Sequence, residues 1–269
     1  MLSVIPQDLC VAISTKRCLT DMDILRGKNC VITGCLQGIG KATLEAFCRE
    51  GANVFACCQM QTDEFEAYCT EMAEKYGTQV IPVYFDLMDD NSIKEAAKQI
   101  QKAKMPVNAL VNIAGMTKDA FFQMVTQDQL ETVFRINFFS QILFSQYMVK
   151  LMQRAGGGSV VFTSSIAAIN GNIGQLAYSS SKAALIAATK TMSAELANNG
   201  IRVNAIAPGM IDTAMTQVLD EEVLERLFST SDIKRLGKPQ EVADVLVFLA
   251  SDLSRYVTGQ VIRIDGGVS

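Results

Sequence analysis

Seven short apolar runs, separated by stretches long enough for helices, decide what this chain can fold into. The runs are Asn29–Thr33, Asn53–Cys58, Gln79–Phe85, Val107–Asn112, Ser159–Thr163, Ile201–Ile206 and Val261–Ile264. They are rich in Val, Ile and Phe and too short for helices. Helical stretches fall between them at Ile39–Glu50, Asp63–Tyr76, Asn91–Lys104, Gln127–Arg154, Leu176–Asn198 and Gln240–Ala250. A strand buried on both faces reads as a continuous apolar run. Strands that alternate with helices join by right-handed crossovers into one parallel sheet. The expected fold is therefore α/β, a doubly wound, seven-stranded parallel sheet with helices on both faces. A chain of 269 residues that is 49% hydrophobic and 19% charged can bury such a core.

The two stretches that do not fit this rhythm are set apart. Residues 1–25 have no basic region ahead of their short apolar segment Leu9–Ile13, and Asp8, Asp21 and Asp23 count against a transit peptide, although Lys16-Arg17 keeps one open. They are expected to form a partly ordered leader to a single catalytic domain, 26–269. The charged stretch 212–237 follows a strand without forming one, and is expected to be a lid at the carboxyl edge of the sheet.

Composition then removes several chemistries. The chain has no histidine, which excludes Ser-His-Asp and Cys-His catalysis and every zinc site that needs histidine. Any general acid must be Tyr, Lys, Cys, Asp or Glu, and no metal is expected. All eight cysteines lie between Cys10 and Cys69 without a C-x-x-C pair, a pattern that fits a reducing cytosol better than a disulfide framework. No apolar run reaches the ~18 residues of a membrane span. A net charge of −4 does not point to nucleic acid or an anionic membrane.

Asn29-Cys-Val-Ile-Thr-Gly-Cys-Leu-Gln-Gly-Ile-Gly40 runs from the first strand into the first helix, with Gly34, Gly38 and Gly40 at spacings of four and two. A tight strand-to-helix turn needs a residue without a β-carbon, as does close approach of a pyrophosphate. The helix start then offers unpaired N–H groups to the phosphates. With a second strand following directly, the turn reads as a dinucleotide site of Rossmann type.

The T-G-x-x-x-G-I-G spacing resembles the short-chain dehydrogenase/reductase family, and further marks follow in order over Leu25–Gly267. Asn112-Ile-Ala-Gly115 is similar to the family's N-N-A-G, with Ile113 in place of the second Asn. Asn137 sits in the long fourth helix, and Ser165 precedes Tyr178 by thirteen positions. Tyr178-Ser-Ser-Ser-Lys182 matches Y-x-x-x-K, and Pro208-Gly209 with Thr213 matches the segment that holds the nicotinamide amide. Within the family, Met116-Thr-Lys-Asp119, Gly174–Tyr178, Val203–Gly209 and Asp265-Gly-Gly267 look most like 3-oxoacyl-acyl-carrier-protein reductases, though members acting on sugars, steroids and small alcohols share them.

A tyrosine and a lysine four apart share one helix face. A free phenol has a pKa near 10 and is a poor base at neutral pH. A cation ~5 Å away contributes about 3 kcal/mol to the phenolate, at most about two pKa units. Tyr178 could then donate a proton to a carbonyl oxygen as hydride arrives, or accept one in reverse. The resemblance implies the partners: Ser165 bonds the substrate carbonyl, with Ser164 as the alternative; Lys182 also holds the nicotinamide ribose; Asn137 anchors a relay water.

The cofactor bed implied by the same resemblance comprises Gly34, Gln37, Gly38, Ile39, Gly40, Cys58, Asp86, Leu87, Asn112, Ala114, Gly115, Tyr178, Lys182, Pro208, Gly209, Ile211 and Thr213. Asp86 either accepts from the adenine amino group or caps a helix. Asn112 either touches cofactor or ties neighbouring strands together. Cys35 and Cys58 are either small buried residues or a low-pKa redox switch. The end of the second strand, Cys57-Cys58-Gln59, has no carboxylate to favour NAD, and Gln37 stands where NADP-using relatives carry a base. NADP(H) is expected over NAD(H), with weak discrimination.

Partners are expected to be a small carbonyl or an acyl thioester. Where such reductases bear arginines for acyl-carrier protein, this chain has Gly156 and Asn199. The docking patch is therefore weak, with Arg154 and Arg202 as neighbouring substitutes. The family implies a homotetramer, and Phe138-Phe139 and Ala183–Ala188 fit either its interfaces or the core. A different class of function, a non-catalytic nucleotide sensor, would have lost the tyrosine or lysine, and both are present.

Overall fold

The computed structural model describes residues 23–214, 216, 229 and 231–268. Its strands are β1 (Asn29–Thr33), β2 (Asn53–Cys58), β3 (Val80–Tyr84), β4 (Ala109–Asn112), β5 (Gly158–Thr163), β6 (Ile201–Pro208) and β7 (Val261–Ile264). All pair in parallel, in the order β3-β2-β1-β4-β5-β6-β7. The chain winds outward in one direction from β1 and in the other from β4. A crevice opens at the carboxyl ends of these two strands, where a doubly wound sheet binds its ligand.

The helices are α1 (Gly38–Arg49), α2 (Asp63–Tyr76), α3 (Asp90–Lys102), α4 (Gln127–Phe134), α5 (Ser140–Arg154), α6 (Ala167–Asn170), α7 (Leu176–Leu196) and α8 (Pro239–Ala250). Successive strand residues face opposite sides, so each strand feeds two cores. Cys30 and Ile32 of β1 pack with Leu44 and Phe47 of α1 and Leu246 and Leu249 of α8. Val31, between them, packs with Ile93 of α3, Phe144 and Met148 of α5 and Leu185 of α7. Burying one such side chain contributes about 1.5–3 kcal/mol.

Two departures from the sequence expectation bear on the site. The stretch 127–154 is not one uniform helix, because Arg135–Phe139 form a π turn between α4 and α5. Such a turn inserts one residue into the helical ladder and swings its side chains out of the α register. Asn137, which it carries, is fully buried. β6 runs two residues beyond its expected end because Ala207 and Pro208 pair with Arg263 and Ile264, which carries Pro208 to the crevice.

Of the expected leader, residues 1–22 lie outside the described residues, as do 215, 217–228 and 230 of the expected lid. Among the described residues, no helix is long and apolar enough to cross a membrane, and no cluster of metal-ligating side chains is present.

Candidate active site

The glycine-rich turn is built for close approach. Gly34 and Gly38 have φ of +77° and +54°, values that glycine adopts without strain. A β-carbon on Gly40 would fall 1.9 Å from the Gly34 carbonyl oxygen. Gln37 precedes α1 with an extended backbone and no side-chain cap, so the first N–H groups of the helix stay open towards the crevice. Across the turn, a β-carbon on Gly38 would meet the Thr213 methyl at 3.3 Å, so the loop after β6 closes on this turn. Gly209 is pressed against Asp265, where a β-carbon would come within 2.8 Å. Ile211 is buried. These cradles, which side chains would fill, fit a dinucleotide.

Opposite the turn, α7 brings Tyr178 and Lys182 to the end of β5. The Lys182 Nζ lies 5.7 Å from the Tyr178 ring centre and donates to the Thr163 carbonyl at 2.7 Å. Lys182 is only 2% exposed, and burial lowers its pKa from 10.5 to about 8. Burial also raises the Tyr178 phenol above its ordinary value, opposed by the Ser165 hydroxyl and reinforced by Asp119. This differs from the sequence expectation of a phenol lowered by its lysine. Desolvation of the phenol is the largest effect, and it outweighs the bond from Ser165.

The choice between the two serines follows from their bonds. Ser164 Oγ donates to the Lys182 carbonyl at 2.8 Å and holds α7 against the sheet. Ser165 Oγ accepts from Ala167 N at 3.2 Å and keeps its proton free towards Tyr178. Asn137 accepts from Met116 N and donates to Met116 O, both at 2.8 Å, and donates to Ser181 Oγ at 3.1 Å. Ser181 in turn donates to the Tyr178 carbonyl at 2.7 Å. Asn137, Ser165, Tyr178 and Lys182 therefore come together from a π turn, a strand end and one helix. Gly115 sits against two of them: a β-carbon there would meet Asn137 Oδ1 at 3.1 Å and Lys182 Nζ at 3.2 Å.

These residues match known proteins over most of the chain. The family model described as Enoyl-(Acyl carrier protein) reductase matches residues 34–269. The 3-oxoacyl-acyl-carrier-protein reductase FabG of Thermotoga maritima is 42% identical over 91% of this chain and 98% of its own length. Its namesake in Aquifex aeolicus is 36% identical over the same shares. The chain belongs to the short-chain dehydrogenase/reductase family. Solved structures agree in fold: a putative NAD(P) dependent gluconate 5-dehydrogenase from Beutenbergia cavernae with bound NADP has a TM-score of 0.85 at 32% identity, covering 90% of this chain and 96% of its own. L-sorbose reductase from Gluconobacter frateurii, complexed with NADPH and L-sorbose, also has a TM-score of 0.85, at 28% identity over 92% and 98% of the two chains. As a short-chain dehydrogenase/reductase, the protein is an NAD(P)-dependent oxidoreductase.

Several side chains in this short-chain dehydrogenase/reductase do work that the sequence left open. Asp86 does not cap a helix: its Oδ1 accepts from Met88 N at 2.8 Å, and Asp89 caps α3. Asn112 ties β4 to a helix rather than to a strand, donating to Ser145 Oγ of α5 at 3.1 Å, while its Oδ1 has no partner. Cys35 and Cys58 donate to the carbonyls of Ile32 and Met60, and burial pushes the Cys58 thiol up to about 11 and Cys35 well above its ordinary value, the opposite of a reactive thiolate. Leu87 and Ile39 are part-buried against the two cores. Sequence reasoning missed Thr33, whose Oγ1 accepts from Ile113 N and Ala114 N at 3.0 and 3.1 Å. It stands directly before Gly34 in the glycine motif, which was the available signal. It also missed Asp119, placed by the loop after β4, for which the sequence offers none.

Proposed function

We propose that the protein reduces 3-oxoacyl thioesters to 3-hydroxyacyl thioesters with NADP(H). The observation that carries this is the cavity of about 260 Å³ lined by Ile166 and Ala167, which directly follow Ser165. Its walls include Ile166, Met210, Ile211, Ile233, Ile264 and Val268. Its cation, Arg235, is held in a two-point ion pair by Glu241, so among the described residues it does not offer a free charge to a sugar acid. An acyl chain suits these apolar walls, although Asn170 and Asn172 also line the cavity and could pair with the hydroxyls of a polyol.

The cofactor would lie along Gly34, Gln37, Gly38, Ile39 and Gly40, with Cys58, Asp86 and Leu87 at the adenine end. Asn112, Ala114, Gly115, Pro208, Gly209, Ile211 and Thr213 would flank the nicotinamide end. When bound, the reduced nicotinamide supplies a hydride to the substrate carbonyl. Tyr178 donates its phenolic proton to the carbonyl oxygen as negative charge develops there, and the Ser165 hydroxyl bonds the same oxygen. Lys182 places a cation beside the phenol, which offsets the burial that otherwise holds its proton. Asn137 fixes the Met116 backbone and, through Ser181, the start of α7.

Gln37 and Cys58 offer neither a base to a 2′-phosphate nor a carboxylate to a ribose diol. The preference for NADP(H) is accordingly modest, and a tenfold preference for NADH in kcat/KM would contradict it. Arg202 turns inward to the carbonyls of Leu249 and Ser251, and Arg154 ends α5 just ahead of β5, at the edge of the sheet opposite the crevice, so neither substitute stands by the site. We infer that acyl-carrier protein docks weakly, so a carrier-bound substrate should exceed its pantetheine analogue by less than about 100-fold in kcat/KM, with little salt dependence. A larger preference that collapses in salt would reveal a basic patch.

The protein is further proposed to be a cytoplasmic homotetramer. Phe138 packs into the core, but Phe139 is 52% exposed, and Phe121, Phe122 and Met124 are also exposed, an apolar surface that association would cover. Sedimentation as a monomer at micromolar concentration would contradict the assembly. The second reading, a sugar reductase, draws on the polyol-acting structural neighbours, and turnover of L-sorbose or gluconate above that of any 3-oxoacyl thioester would favour it.

A further inference from the structure

Beyond β4 the chain leaves the sheet, and Ile113–Met116 runs between the glycine-rich turn and Lys182. A β-carbon on Gly34 would meet Ala114 N at 3.0 Å, and one on Gly115 would meet Lys182 Nζ at 3.2 Å. This segment has left the strand ladder, so its backbone groups need other partners. Side chains supply them: Thr33 takes the amides of Ile113 and Ala114, and Asn137 takes both backbone groups of Met116. The remaining grip is Gln141 Nε2, which donates to the Ala114 carbonyl at 2.6 Å.

Gln141 is 1% exposed, and its Oε1 is buried with no partner. An unpaired buried carbonyl oxygen costs stability, and leucine or methionine would fill the space without that cost. Packing therefore does not account for an amide at this position; the Ala114 carbonyl does. Gln141, near the start of α5, and Asn137, in the π turn before it, both reach the 113–116 segment, so together they hold Ala114 and Met116. The neighbouring Ile113 side chain has no polar group with which to share the task.

We propose that Gln141 is a positioning residue for the nicotinamide cofactor, acting through the Ala114 carbonyl to fix the backbone between the glycine-rich turn and Lys182. This rests on the reading of the site as a nicotinamide-cofactor site.

The test is the Kd of NADPH, read from the fluorescence of the reduced nicotinamide, for the full-length protein and for Gln141→Leu and Gln141→Glu. Gln141→Leu should bind about tenfold more weakly, the size of one buried hydrogen bond, while the melting temperature of the cofactor-free protein holds, because the variant exchanges one unpaired carbonyl, Gln141 Oε1, for another at Ala114. A merely structural role would move the melting temperature and leave Kd alone. Glutamic acid can donate to Ala114 only while protonated, and burial raises its pKa. The Kd of Gln141→Glu should therefore lie within about twofold of wild type near pH 6 and about tenfold above it near pH 8.5. Lys182 titrates in both proteins, so the ratio reads residue 141. Should Gln141→Leu not fold, that ratio decides alone. Both variants within about twofold of wild type at both pH values would overturn the proposal. If wild type itself binds neither NADPH nor NADH, the cofactor reading falls and takes this inference with it.

Discussion

The two halves of the sheet are held by different forces. Around β1, β2 and β3, the interior is mainly thiol, aromatic and aliphatic, with Asn29, Thr33, Thr43 and Glu50 as its buried polar groups: Cys30, Cys35, Cys48, Cys57, Phe47 and Phe55 are fully or almost fully buried. Around β4, β5 and β6, polar groups share the interior: Asn112, Asn137, Gln141, Ser164, Lys182 and Asn204 are all buried. Burial of apolar surface is tolerant of detail, whereas a buried polar group is stable only where its partners stand at bonding distance. The first half is thus a frame, and the second is a fixed arrangement of donors and charges that can act on a carbonyl. Substitutions should sort accordingly, with stability lost on one side and rate on the other.

The largest effect belongs to the polar half. Lys182→Ala should lower kcat by about 10²–10⁴-fold, the range of placed acid–base groups, and weaken cofactor binding, with little loss in unfolding free energy. Retention of a third of wild-type activity would break the contrast. Phe47→Ala in the frame should do the reverse, costing about 3–5 kcal/mol in denaturant unfolding through an unfilled cavity, while folded molecules keep near-normal kcat/KM.

Burial of Lys182 gives the polar half a pH signature. Its folded pKa of about 8 lies below its ordinary 10.5, so between these values the unfolded chain holds a proton that the folded chain has shed. The lysine itself contributes a rise in stability with pH across this window, by about 3 kcal/mol at most. The raised thiols of Cys30, Cys35, Cys48, Cys57, Cys58 and Cys69 act in the other direction from about pH 9, as does the raised phenol of Tyr178 above about pH 10, so the lysine is read as a difference. In urea unfolding between about pH 8 and 10, the stability of wild type relative to Lys182→Met should rise with pH. Equal slopes would place the lysine in contact with water.

The smallest effect tests the frame at its edge. Cys58→Ser should change kcat by less than about twofold, and thiol labelling located by mass spectrometry should pass over Cys58 in the folded protein at neutral pH, since its thiol stays protonated. Rapid labelling blocked by NADPH would make it a reactive site.

Much of this was legible in the sequence, for physical reasons. Strands buried on both faces announce themselves as apolar runs, so β1 and β2 match their expected bounds. Asn137 and Ser165 were named only by the resemblance to the family, whereas Tyr178 and Lys182 were legible as a pair because they stand four apart on one helix. The π turn at Asn137 was not, since its residues differ from α-helical ones only in how the ladder closes. Nor were the bonds of Gln141 and Asp119, which join segments distant along the chain.

The central claim is that this buried polar half reduces a carbonyl through Tyr178. Tyr178→Phe removes one hydroxyl and little volume. The direct measurement is oxidation of NADPH by a short 3-oxoacyl pantetheine thioester, followed through the absorbance of the reduced nicotinamide, for wild type and Tyr178→Phe beside their NADPH Kd values. The account predicts turnover by wild type, a loss of at least about 100-fold in kcat for the variant, and a Kd that barely moves. Wild type that binds NADPH but turns over no carbonyl, or a variant that keeps a third of the rate, would contradict it.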